Sequence, residues 1–253
     1  MRSVLMAVAV VLAAGPAQAG DKDTSGQLES WVVTKDGSEL LGTETLRVVV
    51  KDDGQIFAAG EAKETLGKKK IHLKTTYQRG ADGDIGKYQR VENGLKGAGL
   101  RVFAFEGQLR VAPVNGNGKP SALGKVATNR VWDADLWHLF ALWGLPSSCE
   151  GTKKLAYLDP DKKAVAEATL TCTGSEKIYD AQKKPVTVGV WHVSGVAHEV
   201  DLLVDAQGKL AGVKGADRRM LRAKWVWTAD EKAVGTGDGS GGSDDEVDPG
   251  IGE

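Results

Sequence analysis

Few residues in this 253-residue chain have types and spacing that could do chemistry. There are two cysteines, Cys149 and Cys172, and four histidines, His72, His138, His192 and His198. The cysteines are not in a C-x-x-C arrangement, so they read as a structural disulfide and not as a redox pair. Their bond would close a loop of 24 residues, worth roughly 3 kcal/mol through lost chain entropy. His192 and His198 flank the Ser194-Gly195 turn, and two imidazoles across a hairpin could share a metal ion. No third ligand stands at metal-binding spacing and H-E-x-x-H is absent, so they read as strand-surface histidines.

Other candidate chemistry falls away on similar grounds. Ser147-Ser148 lacks the G-x-S-x-G context of a nucleophile elbow. Gly94, Gly97 and Gly99 lack the strand-then-helix setting of a phosphate cradle. Asp159-Pro160-Asp161 places Lys163 where a calcium loop needs an oxygen ligand. Asp133 and Asp135, two apart on a helix, would point to different faces. No metal and no cofactor is implied, and the residues weigh against an enzyme.

The first twenty residues set the compartment. Arg2 gives a positive start, Val4 to Ala14 an apolar run too short to span a bilayer, and Ala17-Gln18-Ala19 an A-x-A cleavage signal. Residues 1–19 are therefore expected to be a secretory signal peptide. Gly20 stands where a lipoprotein would need cysteine. No later run of eighteen apolar residues provides a transmembrane segment. The periplasm of a Gram-negative cell is the expected location, with the extracellular medium as the alternative. Either would let Cys149 and Cys172 oxidise.

Charge is uneven. Residues 235–253 carry six acidic and no basic side chains, with Gly and Ser dominating. That stretch reads as a disordered acidic tail, because it cannot bury enough surface to offset its ordering entropy. The body between residues 20 and 234 holds 32 Lys+Arg against 28 Asp+Glu. So mild an excess excludes nucleic acid as a partner.

The elements that must position any site are short and β-prone. Trp31–Thr34, Thr45–Val50, Gln55–Glu61, Ile71–Tyr77, Leu100–Phe105 and Gln108–Val114 read as strands separated by Gly, Asp and Asn turns. Lys51-Asp52-Asp53-Gly54 is the strongest hairpin signal. Ile71, Leu73, Thr75 and Tyr77 alternate with polar residues at a period of two. Lys153–Tyr157, Ala164–Cys172, Val186–Val193, Glu199–Val204 and Met220–Trp227 continue the series. Strands every ten to twelve residues with local turns give an antiparallel meander, and its apolar face must be curled or covered.

One stretch breaks the rhythm. Trp132, Leu136, Phe140 and Trp143 recur at helical spacing, with Asn129 as N-cap, Asp133 and Asp135 in the first turn, and Gly144 and Pro146 as terminators. The expectation is an α-helix over 130–144 packed on the concave side of the sheet. Trp132, Leu136, Trp137, Phe140 and Trp143 would either plug the core or wall an apolar ligand cavity.

Trp31-Val32-Val33, Leu41-Gly42-Thr43-Glu44 and the late Val204-Asp205-Ala206-Gln207-Gly208-Lys209-Leu210 resemble uncharacterised periplasmic β-rich proteins of the domain-of-unknown-function kind. The pattern over about residues 28–227 is also similar to the lipoprotein-carrier fold, an incomplete barrel of antiparallel strands covered by helix. The resemblance implies a barrel-like fold and carries over no functional residue.

The sequence thus specifies an all-β domain over 25–230, a strongly curved antiparallel meander, half-barrel or barrel-like, with one helix on its concave side. The expected function is non-enzymatic binding of a hydrophobic small molecule or lipid, or of an envelope protein, by Trp132, Leu136, Trp137, Phe140 and Trp143. The alternatives are a carboxylate-dependent hydrolase of an envelope polymer and a purely structural or assembly protein.

Overall fold

The computed structural model describes residues 26–66, 68–92, 99–106, 108–115, 119–124, 128 and 130–230. The signal peptide expected at 1–19, the tail expected at 235–253 and the proposed N-cap Asn129 lie outside them.

Among the described residues the chain forms fourteen strands in one sheet. They are β1 (Gln27–Lys35), β2 (Glu39–Val50), β3 (Ile56–Leu66), β4 (Lys69–Arg79), β5 (Ile85–Glu92), β6 (Gly99–Phe105), β7 (Gln108–Pro113) and β8 (Ser121–Gly124). After the connecting segment come β9 (Thr152–Asp159), β10 (Ala164–Tyr179), β11 (Pro185–Ser194), β12 (Val200–Val204), β13 (Leu210–Lys214) and β14 (Arg219–Arg222). The spatial order is β8 to β1, then β14 to β9. Two meanders are thus joined where β1 pairs antiparallel with β14, Trp31 opposite Arg222. The expected all-β antiparallel fold is present, curved and without strand pairing between its edges β8 and β9.

The period-two reading of β4 holds, with Ile71, Leu73, Thr75 and Tyr77 buried and Lys70, Lys74 and Thr76 exposed. The Lys51–Gly54 turn closes with a 2.9 Å bond from Gly54 N to Lys51 O, and Gly54 takes the positive φ of 83° that a glycine tolerates. Adjacent residues fall into separate apolar clusters. Leu202 and Met220 belong to the large interior cluster, whereas Leu203 and Leu221 join Ile178, Val188 and Ala211 on the opposite face. That outer cluster corrects the end of the last expected strand. The chain leaves the sheet after Arg222, and Val226 bridges Tyr179. Trp225 and Trp227 are thereby laid over the outer apolar patch, which would otherwise stay wet. Strand β10 also runs on through a bulge between Cys172 and Gly174, so Cys172 lies within a strand of 16 residues and not at its end.

The α-helix expected over 130–144 is corrected. Its residues form a six-residue 3-10 helix, η1 (Trp137–Leu142), preceded by extended chain. Trp132 N donates to Leu158 O at 2.9 Å and Leu158 N donates to Arg130 O at 2.8 Å, so Val131 bridges β9 in parallel. Upstream, Ile85 N of β5 donates to Thr128 O at 3.1 Å, and Thr128 Oγ1 donates to Ala156 O at 2.7 Å. Thr128 and residues 130–132 therefore span the seam between β5 and β9. A helix beginning at 130 would withdraw those backbone groups and leave the β9 edge unpaired; the sheet edge overrides local helix propensity. What remains of the helical pattern is a plug, residues 133–143, enclosed by the curled sheet. Trp137, His138, Leu139 and Phe140 are buried in succession, and only Ala141 and Leu142 at its end are partly exposed, so the turn lacks the polar face of a surface helix.

Candidate functional site

Every one of the five residues singled out on the plug is interior. Trp132, Leu136, Trp137, Phe140 and Trp143 are at most 3% exposed. Phe140 packs between Trp132 and Trp143, with ring centroids at 5.3 and 4.8 Å, and Trp143 stacks on Tyr157 at 6.1 Å. The Trp143 indole N–H donates to Val131 O at 3.0 Å. The Arg218 guanidinium lies 4.1 Å over the Trp137 ring. Gly215 makes room for that ring, since a Cβ there would come within 2.7 Å of it.

Beside the plug, on the concave face of β4, β5 and β6, lies a cavity of about 280 Å³. Ile71, Leu73 and Leu100 form its apolar side, and Arg90, Glu92 and Asp135 its polar side, with Gly99 between. None of the five plug aromatics and leucines lines it. They stand behind Asp135, which extends from the plug into the cavity wall.

Arg90 ties this cavity to the seam. Its Nη1 donates to Asp133 Oδ2 at 2.6 Å and its Nη2 to Asp161 Oδ1 at 2.8 Å. One side chain on β5 thus clamps the plug and the β9–β10 turn together. Asp133, expected in the first turn of a helix, instead also accepts from Tyr88 Oη at 2.9 Å. Burial raises the Asp133 carboxyl above its ordinary range even though Arg90 and Tyr88 donate to it. Burial and the Asp133 charge together push the Tyr88 phenol well up.

The plug is anchored on its other side by residues the sequence reading missed. Glu44 of β2 accepts from the backbone N–H of Trp137 at 3.3 Å and of His138 at 2.8 Å, and from His138 Nδ1 at 2.6 Å. A strand carboxylate, 94 residues away from His138, thus caps η1, which has no side-chain cap of its own. Burial alone would lift the Glu44 carboxyl, but the hydrogen bonds and charge of His138, with Arg218, hold it below its usual value. His138 Nε2 meets Thr75 Oγ1 at 3.1 Å. Glu64 of β3 accepts from Arg218 Nη1 at 2.5 Å, and Arg218 Nη2 donates to Ala134 O at 2.7 Å.

Thr75, His138 and Glu44 have the connectivity of a nucleophile, base and orienting acid. The surroundings give that chain no substrate. Glu44 and His138 are fully buried and Thr75 is 3% exposed. The backbone of Gly60 lies against both partners, so that a Cβ there would sit 2.4 Å from His138 Nε2 and 2.7 Å from Thr75 Oγ1. No carbonyl could approach the hydroxyl, and the chain acts as a strut.

A signal for these residues was present in the strand parity. Glu44 shares the buried face of β2 with Leu46, and Glu64 shares that of β3 with Ala62. A glutamate on the apolar parity of a strand needs a buried partner. Which partner it takes depends on long-range register.

Cys149 and Cys172 are bonded, with Cα atoms 5.2 Å apart, and this fixes the chain leaving the plug to β10. Reduction should cost about 3 kcal/mol and loosen the plug's C-terminal side first. The check is a thermal melt with and without reductant, in which an unchanged Tm would contradict the assignment. His192 sits between Asp201, at 2.9 Å from Nδ1, and Glu199, at 3.5 Å from Nε2.

No protein-family model and no curated protein matches this chain. Among solved structures, it is similar to a beta-barrel-like protein of the domain of unknown function DUF1849 from Brucella abortus. The TM-score is 0.51 at 12% sequence identity, over 80% of this chain and 98% of the other. At that identity the likeness concerns the fold alone, an uncharacterised β-barrel-like domain. No helix among the described residues is long and apolar enough to cross a membrane.

Proposed function

We propose that this protein is an exported, non-enzymatic binding protein that holds an amphipathic small molecule on the concave face of its curled sheet. The cavity bounded by Ile71, Leu73 and Leu100 on one side and by Arg90, Glu92 and Asp135 on the other is the observation that carries this reading. An apolar body would lie on the three aliphatic side chains, gaining about 25 cal/mol for each Å² removed from water. A polar end would meet the three charged ones. Trp132, Leu136, Trp137, Phe140 and Trp143 form the rigid backing that keeps this wall in place, and they would be exposed to a longer ligand that displaces the plug. The Ala17-Gln18-Ala19 signal and the Cys149–Cys172 bond support an oxidising compartment, the periplasm in first place.

N-Phenyl-1-naphthylamine, an apolar fluorophore of suitable size, tests the reading. The wild-type chain should give a saturable rise in fluorescence. Leu100→Trp, at a partly buried position, fills the cavity and should weaken that binding by at least about tenfold, or about 1.4 kcal/mol. Absence of saturable binding to the wild type, or equal affinity in the variant, would overturn the assignment.

A further inference from the structure

Glu64 is the least settled group in the interior. It is 3% exposed, and its Oε2 accepts from Arg218 while its Oε1 is buried without a hydrogen-bond partner. Glu44 stands beside it, already committed as an acceptor to three N–H donors of the plug. Three N–H donors on one carboxylate favour its charged form. Two neighbouring carboxylates in a buried site cannot both ionise cheaply. The proton therefore belongs on Glu64. Burial first, and then the Glu44 charge, push the Glu64 carboxyl up to about 8, against the opposing pull of Arg218.

The charged and polar side chains facing this pair come from every wall. They are Thr75 on β4, His138 on the plug and Arg218 in the β13–β14 turn. We propose that this cluster is a proton-operated lock on the plug. With a proton on Glu64, the Glu44 charge is met by the N–H donors of the plug and by Arg218, and η1 stays seated. Loss of that proton puts a second carboxylate charge beside Glu44 inside the curled sheet, and the plug loosens.

The mechanical connection is direct. Arg218 holds Glu64 with one nitrogen and the plug backbone at Ala134 with another, while covering Trp137. Glu44 holds the first two amides of η1. A change in the balance between the two carboxylates therefore reaches the plug through both grips. The direction follows from linkage. A group protonated more tightly in the seated state than in the released state favours seating at low pH, and loses that effect as pH rises through the seated pKa. Glu44, held low, contributes the opposite flank: its grip is lost in acid.

Amide hydrogen exchange of the full-length chain, corrected for intrinsic rates, tests this. Protection of the Trp137 and His138 amides should fall by up to about tenfold per pH unit from pH 6 to pH 8 and level off above. The amides of Ile178 and Val188, in strands β10 and β11 and part of the outer apolar cluster, should keep theirs. Glu64→Gln mimics the protonated state and should abolish the slope at the plug. A slope equal in wild type and variant, or one shared by the Ile178 and Val188 amides, would overturn the proposal. Carboxyl-carbon NMR of the wild type gives an independent reading: a Glu64 ionised at pH 6.5 would overturn it even if the variant failed to fold.

Discussion

Glu44→Ala should lower stability by about 3–5 kcal/mol, the cost of removing one member of a buried ionic group and stranding the other. Three N–H groups of the plug, the Trp137 and His138 amides and His138 Nδ1, converge on this carboxylate. Removing the carboxylate from a site with no exposure leaves three donors that water cannot reach. Glu44→Gln should recover part of the loss, since its amide accepts at one position and presents a donor at the other. In a urea titration followed by tryptophan fluorescence, the midpoint should fall in the order wild type, Gln, Ala. An Ala variant within 0.5 kcal/mol of wild type, the ordinary range for surface changes, would refute the capping role.

Trp143→Ala should have an effect of the same size, about 3–5 kcal/mol, for a different reason. Trp143 is wholly buried, fills the space between Phe140 and Tyr157 and ties the plug to the seam through Val131 O. The Arg130 guanidinium returns the tie by donating from Nε to Trp143 O at 2.9 Å. The variant leaves a cavity among rigid neighbours and an unmet carbonyl at Val131. Trp143→Phe, which keeps the ring and loses the indole N–H, should cost less than half as much. Equal costs for the two variants would place the energy in the hydrogen bond and not in the packing.

Most of the sheet is legible in the residues because a strand carries its own pattern. Alternation in Ile71–Tyr77 and the Asp-Asp-Gly turn after Val50 are local facts, and the structure keeps both. Strand β5 was not readable: Gly86, Lys87, Gln89 and Arg90 break its apolar alternation, because Arg90 faces inward to serve Asp133 and Asp161. The short β8 carries too few residues to form a pattern. The helix over 130–144 misled for a physical reason. Periodicity reports which side chains are buried, and these are; it does not report where the backbone finds its hydrogen bonds. Here β9 claimed the backbone of residues 130–132, and the rest tightened into a 3-10 turn. The disulfide was legible from count and compartment alone. The Glu44–His138–Thr75 strut was not, because its members are brought together by the register of β2 against β3 and of β3 against β4.

The lock and the cavity share one piece of chain. Asp133 is clamped by Arg90, Ala134 is held by Arg218, and Asp135 enters the cavity wall. Three consecutive residues thus report to the seam, the buried carboxylates and the binding surface in turn. Loosening at Glu64 would be felt at the ligand through Ala134 and Asp135.

The most direct test of the binding account is a methyl NMR titration of the full-length protein with N-phenyl-1-naphthylamine. The account predicts saturable shifts at the methyls of Ile71, Leu73 and Leu100, with Val188 and Leu221 on the outer face unmoved. Shifts confined to the outer face, or none at the three cavity methyls, would contradict it.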